Sequence, residues 1–244
     1  MAQTPSQSAA ADARTACAAR DADRQWWLPI SRHGVREVAW ATVLALALGT
    51  PLAVIWAPAA VVVGAAWLAV VLFFRDPARR IPADERAYLA PADGRLTEIT
   101  RIEHDEEIGG PAVRFGIFLS VFDVHINRSP CAGVVRRIQY RRGAFLNAMK
   151  PESSSKNESN IVVLDAGPLM GTLVVRQIAG VIARRIVCAT AVGNRLSAGQ
   201  RFGMIKFGSR TELVLASPDE LNIVVSVGEK VRAGVTVLAR RKGG

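Results

Sequence analysis

Cysteine, histidine and tyrosine are scarce in this chain, which has only three, three and two of them among 244 residues. The cysteines are widely spaced, at Cys17, Cys131 and Cys188. Without a C-x-x-C pair they predict neither a zinc site nor a disulfide framework, and reduced thiols are expected. The histidines are equally dispersed, at His33, His104 and His125. No metal site is therefore expected.

Charge is missing from one long stretch. Residues 38–74 contain no Asp, Glu, Lys, Arg or His. A single helix of that length would measure about 55 Å, whereas the hydrocarbon core of a bilayer is about 30 Å thick. Two helices, 38–56 and 58–74, fit better. The candidate breakers are Gly49, Thr50, Pro51 and Pro58.

Arginines flank this apolar stretch at both outer ends. They are Arg32 and Arg36 before it, and Arg75, Arg79 and Arg80 after it. Such flanks predict a hairpin at the cell membrane with both ends on the cytoplasmic face. The alternative is that the helices lie in the interface or pack on the soluble domain.

The formal net charge is +10. No nucleic-acid-binding motif accompanies that charge, and aromatic residues are few outside the apolar stretch. We therefore expect no nucleic-acid partner. A basic face on a membrane-attached protein is expected to meet anionic lipid.

Three regions follow from composition. Residues 1–25 are polar and aperiodic, which predicts a disordered tail. Residues 26–80 form the membrane-associated hairpin and its linker. Residues 81–244 predict a mainly β domain, because short Val-, Ile- and Leu-rich runs alternate with Gly, Pro, Asn and Asp. The predicted strands are 112–120, 134–140, 160–164, 173–178, 213–215 and 223–227.

An eight-residue pattern occurs twice, at 192–199 and 227–234. Both copies read V-G-x-x-hydrophobic-x-A-G. The glycines suit turns with positive φ, and the apolar residue between them is expected to point inward. The pattern is similar to the sandwiched hairpins of biotinyl/lipoyl-like domains. Two unrelated β-turns are the alternative.

Three motifs carry the chemistry of the β-rich domain. They are Ala90-Pro91-Ala92-Asp93-Gly94, Phe122-Asp123-Val124-His125-Ile126-Asn127-Arg128-Ser129-Pro130 and Phe207-Gly208-Ser209. In this order and spacing they resemble the phosphatidylserine decarboxylase family. The likeness is to its short, type II form, which includes archaetidylserine-decarboxylase-like chains. It leaves open whether the lipid carries diacyl or archaeal-type ether-linked chains.

The resemblance implies a cofactor that is made from the chain itself. Ser209 attacks the Gly208 carbonyl, the chain is cut between the two residues, and residue 209 becomes a pyruvoyl group. That group would form a Schiff base with phosphatidylserine and support its decarboxylation to phosphatidylethanolamine. The enzyme would be a heterodimer of fragments 1–208 and 209–244. By the same resemblance, Asp93, His125 and Ser209 form the catalytic set.

Physical reasoning supports these assignments. A serine hydroxyl needs a base within reach, and a carboxylate fixes the tautomer of a histidine base. Asp123 competes with Asp93 for the orienting role, because it lies two residues before His125.

Substrate-binding candidates lie close to these motifs. Arg128 and Asn127 could bind the lipid phosphate, although internal pairing of Arg128 is an equal alternative. Phe122 could shield the carboxylate from water. Asn157 and Glu158 lie in a stretch that usually reads N-E-R in the family. Here Ser159 replaces that arginine, so its role cannot be transferred.

Two other functions compete. A membrane-tethered, lipoyl-like carrier without catalysis would use Lys206 as its modified lysine, but it leaves Asp93 and His125 unexplained. A serine hydrolase would use Ser209, His125 and Asp93, but the chain lacks a G-x-S-x-G motif.

Overall fold

A computed structural model of the protein describes residues 29–149, 152–181, 185–206 and 209–243. The expected tail, 1–25, lies outside the described residues. The same holds for Phe207 and Gly208 of the cleavage motif.

Two apolar helices precede the β-rich domain, α1 (Val35–Ile55) and α2 (Ala57–Phe73). The predicted division into two helices is therefore confirmed. The chain breaks at Trp56, whose backbone is extended (φ −154°, ψ 89°), and Pro58 lies in the first turn of α2. A proline is tolerated there because that N–H needs no partner within the helix. Pro51 was wrongly predicted as a breaker. It lies inside α1, four residues before the end, where losing one hydrogen bond does not end the helix.

The two helices form a hairpin. The Trp67 indole Nε1 donates to Thr42 Oγ1 across the pair at 2.9 Å. No residue of α1 is buried, and Val54 and Ile55 near the hairpin tip are 86% and 80% exposed. Only α1 is long and apolar enough to cross a bilayer, and α2 is shorter. The apolar surface of the hairpin is thus left uncovered by the rest of the described chain.

The remaining chain is mainly β, with antiparallel pairing throughout its named strands. One sheet has eight strands in the order β13-β2-β3-β11-β7-β6-β5-β9. Its strands are β2 (Gly94–Asp105), β3 (Gly110–Leu119), β5 (Gly133–Arg141), β6 (Ser159–Asp165), β7 (Thr172–Ile178), β9 (Arg195–Leu196), β11 (Ser209–Ala216) and β13 (Lys230–Val231).

Two smaller sheets complete the domain. One has the order β4-β10-β8 and the other β1-β14-β12. Their strands are β1 (Ala87–Leu89), β4 (Ile126–Arg128), β8 (Arg185–Cys188), β10 (Arg201–Lys206), β12 (Leu221–Ile223) and β14 (Val237–Arg241). Two one-turn helices, α3 (Ser153–Lys156) and α4 (Gly167–Met170), connect strands, and Pro218–Glu220 is a 3-10 turn.

Five of the six predicted strands are confirmed, as β3, β5, β6, β7 and β11. The sixth, 223–227, is wrong beyond Ile223, where β12 ends. The chain there enters the second copy of the repeat, and Gly228 has a φ of +94° that no extended strand adopts. The turn that this glycine forms therefore prevents the apolar run from continuing as a strand.

The two repeat copies adopt equivalent structures. Their first glycines, Gly193 and Gly228, have φ of +87° and +94°, and their last glycines, Gly199 and Gly234, both have +70°. The apolar residue of each copy is buried, as predicted. These are Leu196 and Val231, at 1% and 2% exposed. The sandwiched-hairpin interpretation is therefore confirmed.

A second duplication becomes visible only in the fold. Val231 pairs with Gly94 and Leu196 pairs with Gly133. The partner segments, A-P-A-D-G-R-L at 90–96 and S-P-C-A-G-V-V at 129–135, share their proline and glycine positions. The two halves of the hairpin unit are thus pseudo-symmetric. Asp93 breaks the symmetry, since Ala132 occupies the equivalent position.

The hairpin joins the β domain through a small apolar cluster of its own. It consists of Phe73, Phe74, Val124, Ile126 and Met204. The end of α2 is therefore packed against the segment that carries His125.

Candidate active site

Ser209 begins a central strand of the main sheet. β11 lies between β3 and β7, and Ser209 pairs with Leu119 of β3. The serine is fully buried, and within the described part of the chain its Oγ has no hydrogen-bond partner. Burying a hydroxyl without a partner costs free energy, so this serine is a candidate for a role other than stability.

His125 lies directly before β4 and is also fully buried. Its Nδ1 lies 2.9 Å from the carbonyl oxygen of Asp123. Because a carbonyl only accepts, Nδ1 carries the proton and Nε2 carries the free lone pair. Among the described residues Nε2 has no partner. Burial lowers the pKa of His125 to about 4, so the ring is neutral at pH 7 and Nε2 can act as a base.

The end of the helical hairpin packs against the His125 ring. The His125 ring packs on Phe73, the last residue of α2, with ring centroids 4.3 Å apart and planes inclined by 36°. Phe73 is 6% exposed. An aromatic wall here keeps water away from the imidazole and accounts for its lowered pKa.

Hydrogen bonds between side chains fix the position of β4 against β11. Asn127 Nδ2 donates to Thr211 Oγ1 at 3.0 Å, and Gln177 Nε2 donates to Asn127 Oδ1 at 2.8 Å. Gln177 is also the cross-strand partner of Thr211 in the main sheet. Asn127 of the small sheet and Thr211 of the main sheet are therefore at the same height along their strands.

His125 and Ser209 lie two residues before this contact on their respective strands. The backbone N–H of Ile205 donates to the His125 carbonyl at 3.2 Å, and Ile205 packs on Ala179. Ala179 follows Ile178, the partner of Arg210, so the antiparallel register puts Ala179 opposite Ser209. The strands thus bring His125 and Ser209 to the same height along the strand direction. No hydrogen bond joins the two side chains among the described residues.

Asp93 is held by other groups. Its Oδ2 accepts from Arg79 at 2.7 Å and its Oδ1 accepts from the backbone N–H of Ala233 at 2.8 Å. No hydrogen bond in the described chain joins it to His125. The side chain of Asp123 accepts from the N–H and the hydroxyl of Ser120, at 2.8 and 2.7 Å. The orientation of His125 therefore comes from the backbone of Asp123, and the part of Asp93 in proton transfer stays a prediction.

The sequence matches a known family over most of its length. The family model described as phosphatidylserine decarboxylase covers residues 68–239. The chain belongs to the phosphatidylserine decarboxylase family.

Curated relatives named phosphatidylserine decarboxylase proenzyme support this assignment. One from Rhodopirellula baltica is 45% identical over 238 residues, which are 92% of this chain and 98% of the relative. One from Carboxydothermus hydrogenoformans is 46% identical over 177 residues, 72% of this chain and 82% of the relative. One from Burkholderia pseudomallei is 46% identical over 170 residues, 70% and 77% of the two chains.

The guanidinium of Arg128 is bound by internal partners. Its guanidinium donates to Asp76 at 3.1 Å and to the carbonyls of Gly199 and Pro77 at 3.1 and 3.2 Å. Only 7% of its side chain is exposed. Burial, together with the nearby Arg201, lowers its pKa to about 10. The structure therefore favours the internal pairing over binding of the lipid phosphate, and Asn127 likewise forms internal hydrogen bonds, with Thr211 and Gln177.

Asn157 and Glu158 both form hydrogen bonds with Ala179, the residue opposite Ser209. Asn157 donates to the carbonyls of Leu146 and Ala179, at 2.8 and 2.7 Å, and accepts from the Leu146 N–H at 2.9 Å. The Ala179 N–H donates to the Glu158 carbonyl at 2.9 Å. Both residues thus hold Ala179, the residue opposite Ser209. Their role in substrate binding stays a prediction, and positioning is the role that the contacts favour.

Phe122 is 82% exposed, at the tip of the loop between β3 and β4. Its carbonyl accepts from Arg75, which directly follows the helical hairpin, at 2.5 Å. The aromatic ring is therefore near the level of the hairpin base, and the proposed contact with substrate stays a prediction.

The carrier alternative is not favoured by the position of Lys206. Its Nζ lies 2.5 Å from Glu37 of α1 and 5.4 Å from the centroid of the Phe74 ring. Only 9% of the side chain is exposed. A carrier lysine must project into solvent, whereas this one ties the sheet to the hairpin. The family assignment disfavours the hydrolase as well.

Three contributors were not identified from the sequence: Gln177, Phe73 and Arg79. Gln177 lies in an apolar strand run with no motif around it, and Phe73 is one of many apolar residues in the hairpin. Arg79 was read only as a flanking charge. Only the tertiary contacts distinguish them from their neighbours.

Proposed function

We propose that this enzyme decarboxylates phosphatidylserine to phosphatidylethanolamine and CO2, with a pyruvoyl group formed from Ser209 after the chain cuts itself at Gly208-Ser209. Support comes from the family assignment together with one feature of the structure. Two buried groups of complementary chemistry, Ser209 Oγ and His125 Nε2, lie at one level without partners in the described chain.

The self-cleavage needs a base for the serine hydroxyl. Neutral His125, with its Nδ1 proton held by the Asp123 carbonyl, takes the Oγ proton at Nε2. Oγ then bonds to the Gly208 carbonyl carbon while the peptide C–N bond breaks, which gives an ester and a free amine. β-Elimination releases the carboxylate of 1–208 and leaves dehydroalanine at 209. Addition of water and loss of ammonia convert it to the pyruvoyl group.

The residues present fit a carbonyl cofactor at this position. A pyruvoyl group supplies the electron sink for the pair left behind when CO2 departs. The Phe73 ring packs on His125 and keeps water from it, and we expect His125 to return a proton to the substrate carbon. Because β11 pairs with β3 and β7, residue 209 is expected to keep its position after the cut.

The lipid substrate accounts for the helical hairpin. We propose that the hairpin attaches the enzyme to the cytoplasmic face of the cell membrane, with anionic lipid around its basic base. Its uncovered apolar surface and the arginines at both outer ends support this attachment. The headgroup would then be processed at the bilayer surface without extraction of the lipid.

One substitution tests the cofactor. Ser209→Ala removes the hydroxyl that attacks, so we expect the chain to stay whole and to release no CO2 from labelled phosphatidylserine. The wild type should give two masses, for 1–208 and for 209–244, the smaller one reactive with phenylhydrazine. Ser155→Ala, at an exposed serine of α3, is the matched control and should be cut normally. An uncut yet active Ser209→Ala enzyme would rule out the pyruvoyl group.

A further inference from the structure

A cleft rich in arginine opens beside the candidate site. It has a volume of about 480 Å³. The residues that line it come from the linker after α2, from the Asp93 and His125 motifs and from the last repeat. The charged ones are Arg75, Arg79, Arg80, Arg232 and Asp93. The cleft thus carries four positive charges and one negative charge.

The single carboxylate of the cleft is already neutralised. Both oxygens of Asp93 accept hydrogen bonds, one from Arg79 and one from the Ala233 N–H. Arg79 still has a buried Nε without a partner among the described residues. The side chain is 11% exposed, and its hydrogen bond to Asp93 holds it in position. Arg79 thus contributes a fixed positive charge to the lining of the cleft.

Two of the arginines lack a side-chain partner among the described residues. Arg80 and Arg232 are exposed, and in that part of the chain neither guanidinium forms a hydrogen bond or ion pair. Arg75 by contrast is fixed, since it donates to the carbonyls of Leu72 and Phe122 at 2.7 and 2.5 Å. Arg80 and Arg232 thus lie beside two arginines whose positions are fixed by hydrogen bonds. Such a surface favours an oxyanion that accepts two hydrogen bonds from a guanidinium group.

The location of the cleft indicates the source of that oxyanion. Arg75 lies two residues after the end of α2, so the cleft lies at the base of the helical hairpin. Val124, the neighbour of His125, lines it as well. An anion bound here would therefore lie between the membrane surface and the catalytic histidine. The phosphate of a membrane lipid is the group at that depth.

We propose that this cleft binds the phosphate of the phospholipid headgroup, and that Arg80 and Arg232 donate hydrogen bonds to its oxygens. The inference rests on the proposed function, and it replaces Arg128 as the candidate for this contact. The guanidinium of Arg128 donates to Asp76, Pro77 and Gly199, whereas the guanidinium groups of Arg80 and Arg232 have no hydrogen-bond partner among the described residues. Arg79 and Arg75 contribute fixed positive charge.

The test is the double variant Arg80→Gln/Arg232→Gln of the full-length enzyme in mixed micelles. Its KM for phosphatidylserine should rise about tenfold, because charge-assisted hydrogen bonds to phosphate are lost, while kcat changes by less than about twofold. Arg80→Lys/Arg232→Lys should restore part of the loss, since lysine keeps the charge but not the bidentate geometry. Arg142→Gln, at an exposed arginine outside the cleft, is the matched control and should leave KM unchanged.

A second arm distinguishes lipid phosphate from free phosphate. If the headgroup is the ligand, KM changes as stated and the double variant also binds less to vesicles of phosphatidylcholine with phosphatidylserine. If free phosphate is the ligand, KM stays constant but competition by inorganic phosphate, present in the wild type, is lost in the variant. The first result supports the headgroup phosphate as the ligand. The second result would overturn that assignment in favour of free phosphate, and wild-type values for both KM and phosphate competition would overturn a phosphate site altogether.

Self-cleavage separates this inference from the proposed function. Each variant is first examined by mass for the fragments 1–208 and 209–244. A cut, active variant with an unchanged KM and unchanged phosphate competition refutes the phosphate site alone. A wild type that is neither cut nor active refutes the proposed function.

Discussion

At the scale of single residues, burial keeps the His125 ring neutral. A solvent-exposed histidine is half protonated near pH 6.5, and its hydrogen bonds are satisfied by water. Here the Phe73 ring and the surrounding strands exclude water, and the Asp123 carbonyl fixes the tautomer. The neutral ring therefore presents an unprotonated Nε2 at any physiological pH. Leaving Nε2 buried without a hydrogen-bond partner among the described residues costs free energy of folding.

His125→Gln tests this role. The glutamine amide has no basic nitrogen, so self-cleavage should slow by at least about 100-fold, the usual contribution of a general base. The fraction of cut chain is measured by intact mass at successive times after cell-free synthesis. His104→Gln, at an exposed position in β2, is the control and should be cut at the wild-type rate. Normal processing of His125→Gln would remove His125 from the role of base.

The pH profile gives the same experiment a second readout. Because burial lowers the pKa of His125 to about 4, the base form is present throughout pH 5–8. The rate of self-cleavage should be flat over that range and fall by half near pH 4. A fall centred near pH 6.5 would show that the ring is exposed to water during cleavage.

At the same scale, Arg128 shows that the fold engages a motif residue in internal contacts. An arginine three residues after His125 predicts a phosphate contact by its chemistry. In the fold it joins the linker at Asp76 to the carbonyl of Gly199 in the repeat. It thereby fixes the linker that carries Arg79 and Arg80. Its effect on the substrate, if the cleft binds phosphate, is indirect.

At the scale of elements, the two repeat copies and their partner strands form a pseudo-symmetric unit that positions Asp93. Gly94, the next residue, has a φ of +152°, and a Cβ there would overlap the carbonyl oxygen of Phe118 in β3. The backbone of β2 can approach β3 this closely only at a glycine. The carboxylate of Asp93 is thereby directed at the Ala233 N–H in the second repeat copy.

Gly94→Ala should therefore be costly. The strained φ and the overlap together are expected to lower the free energy of unfolding by about 2 to 4 kcal/mol. Chemical denaturation in detergent, followed by the β-sheet signal in far-ultraviolet circular dichroism, measures the change. Gly110→Ala, at a glycine of β3 with open space around it, should change stability by less than about 0.5 kcal/mol. Equal stability of the two variants would contradict the close approach of β2 and β3.

At the scale of the whole molecule, the cut is not expected to release the C-terminal fragment. Residues 209–244 contain four strands, and three of them pair with strands of the large fragment. β11 pairs with β3 and β7, β13 with β2, and β14 with β1. The fragment thus contributes strands to two sheets, and most of its buried apolar residues belong to the main core.

The fragments should therefore remain together after maturation. In size-exclusion chromatography in mild detergent, both should elute in one peak, and they should separate only in denaturant. An intact-mass spectrum of the peak identifies them. The uncut Ser209→Ala protein, which should elute at the same volume, is the control. Release of a free 209–244 fragment under native conditions would contradict the sheet pairing.

Much of the architecture was predictable from local sequence. An uncharged stretch of 37 residues can hardly form anything but apolar helices, and runs of β-branched residues between turn residues predict strands. The glycines of the repeat predicted its positive-φ turns. The Asp93, His125 and Ser209 motifs were visible as well. These features depend on neighbours a few residues apart, which the sequence displays directly.

Only the tertiary structure decided which of these residues meet. The level shared by His125 and Ser209 depends on the registers of β4, β7, β10 and β11, and no local pattern encodes register between distant strands. The same applies to the pairing of Arg128 with Asp76 and to the arginine cleft at the hairpin base. The sequence thus determined the chemical groups and the helices and strands that carry them. Long-range packing determined which groups are buried, neutral and left without a partner, because burial is a property of the whole fold.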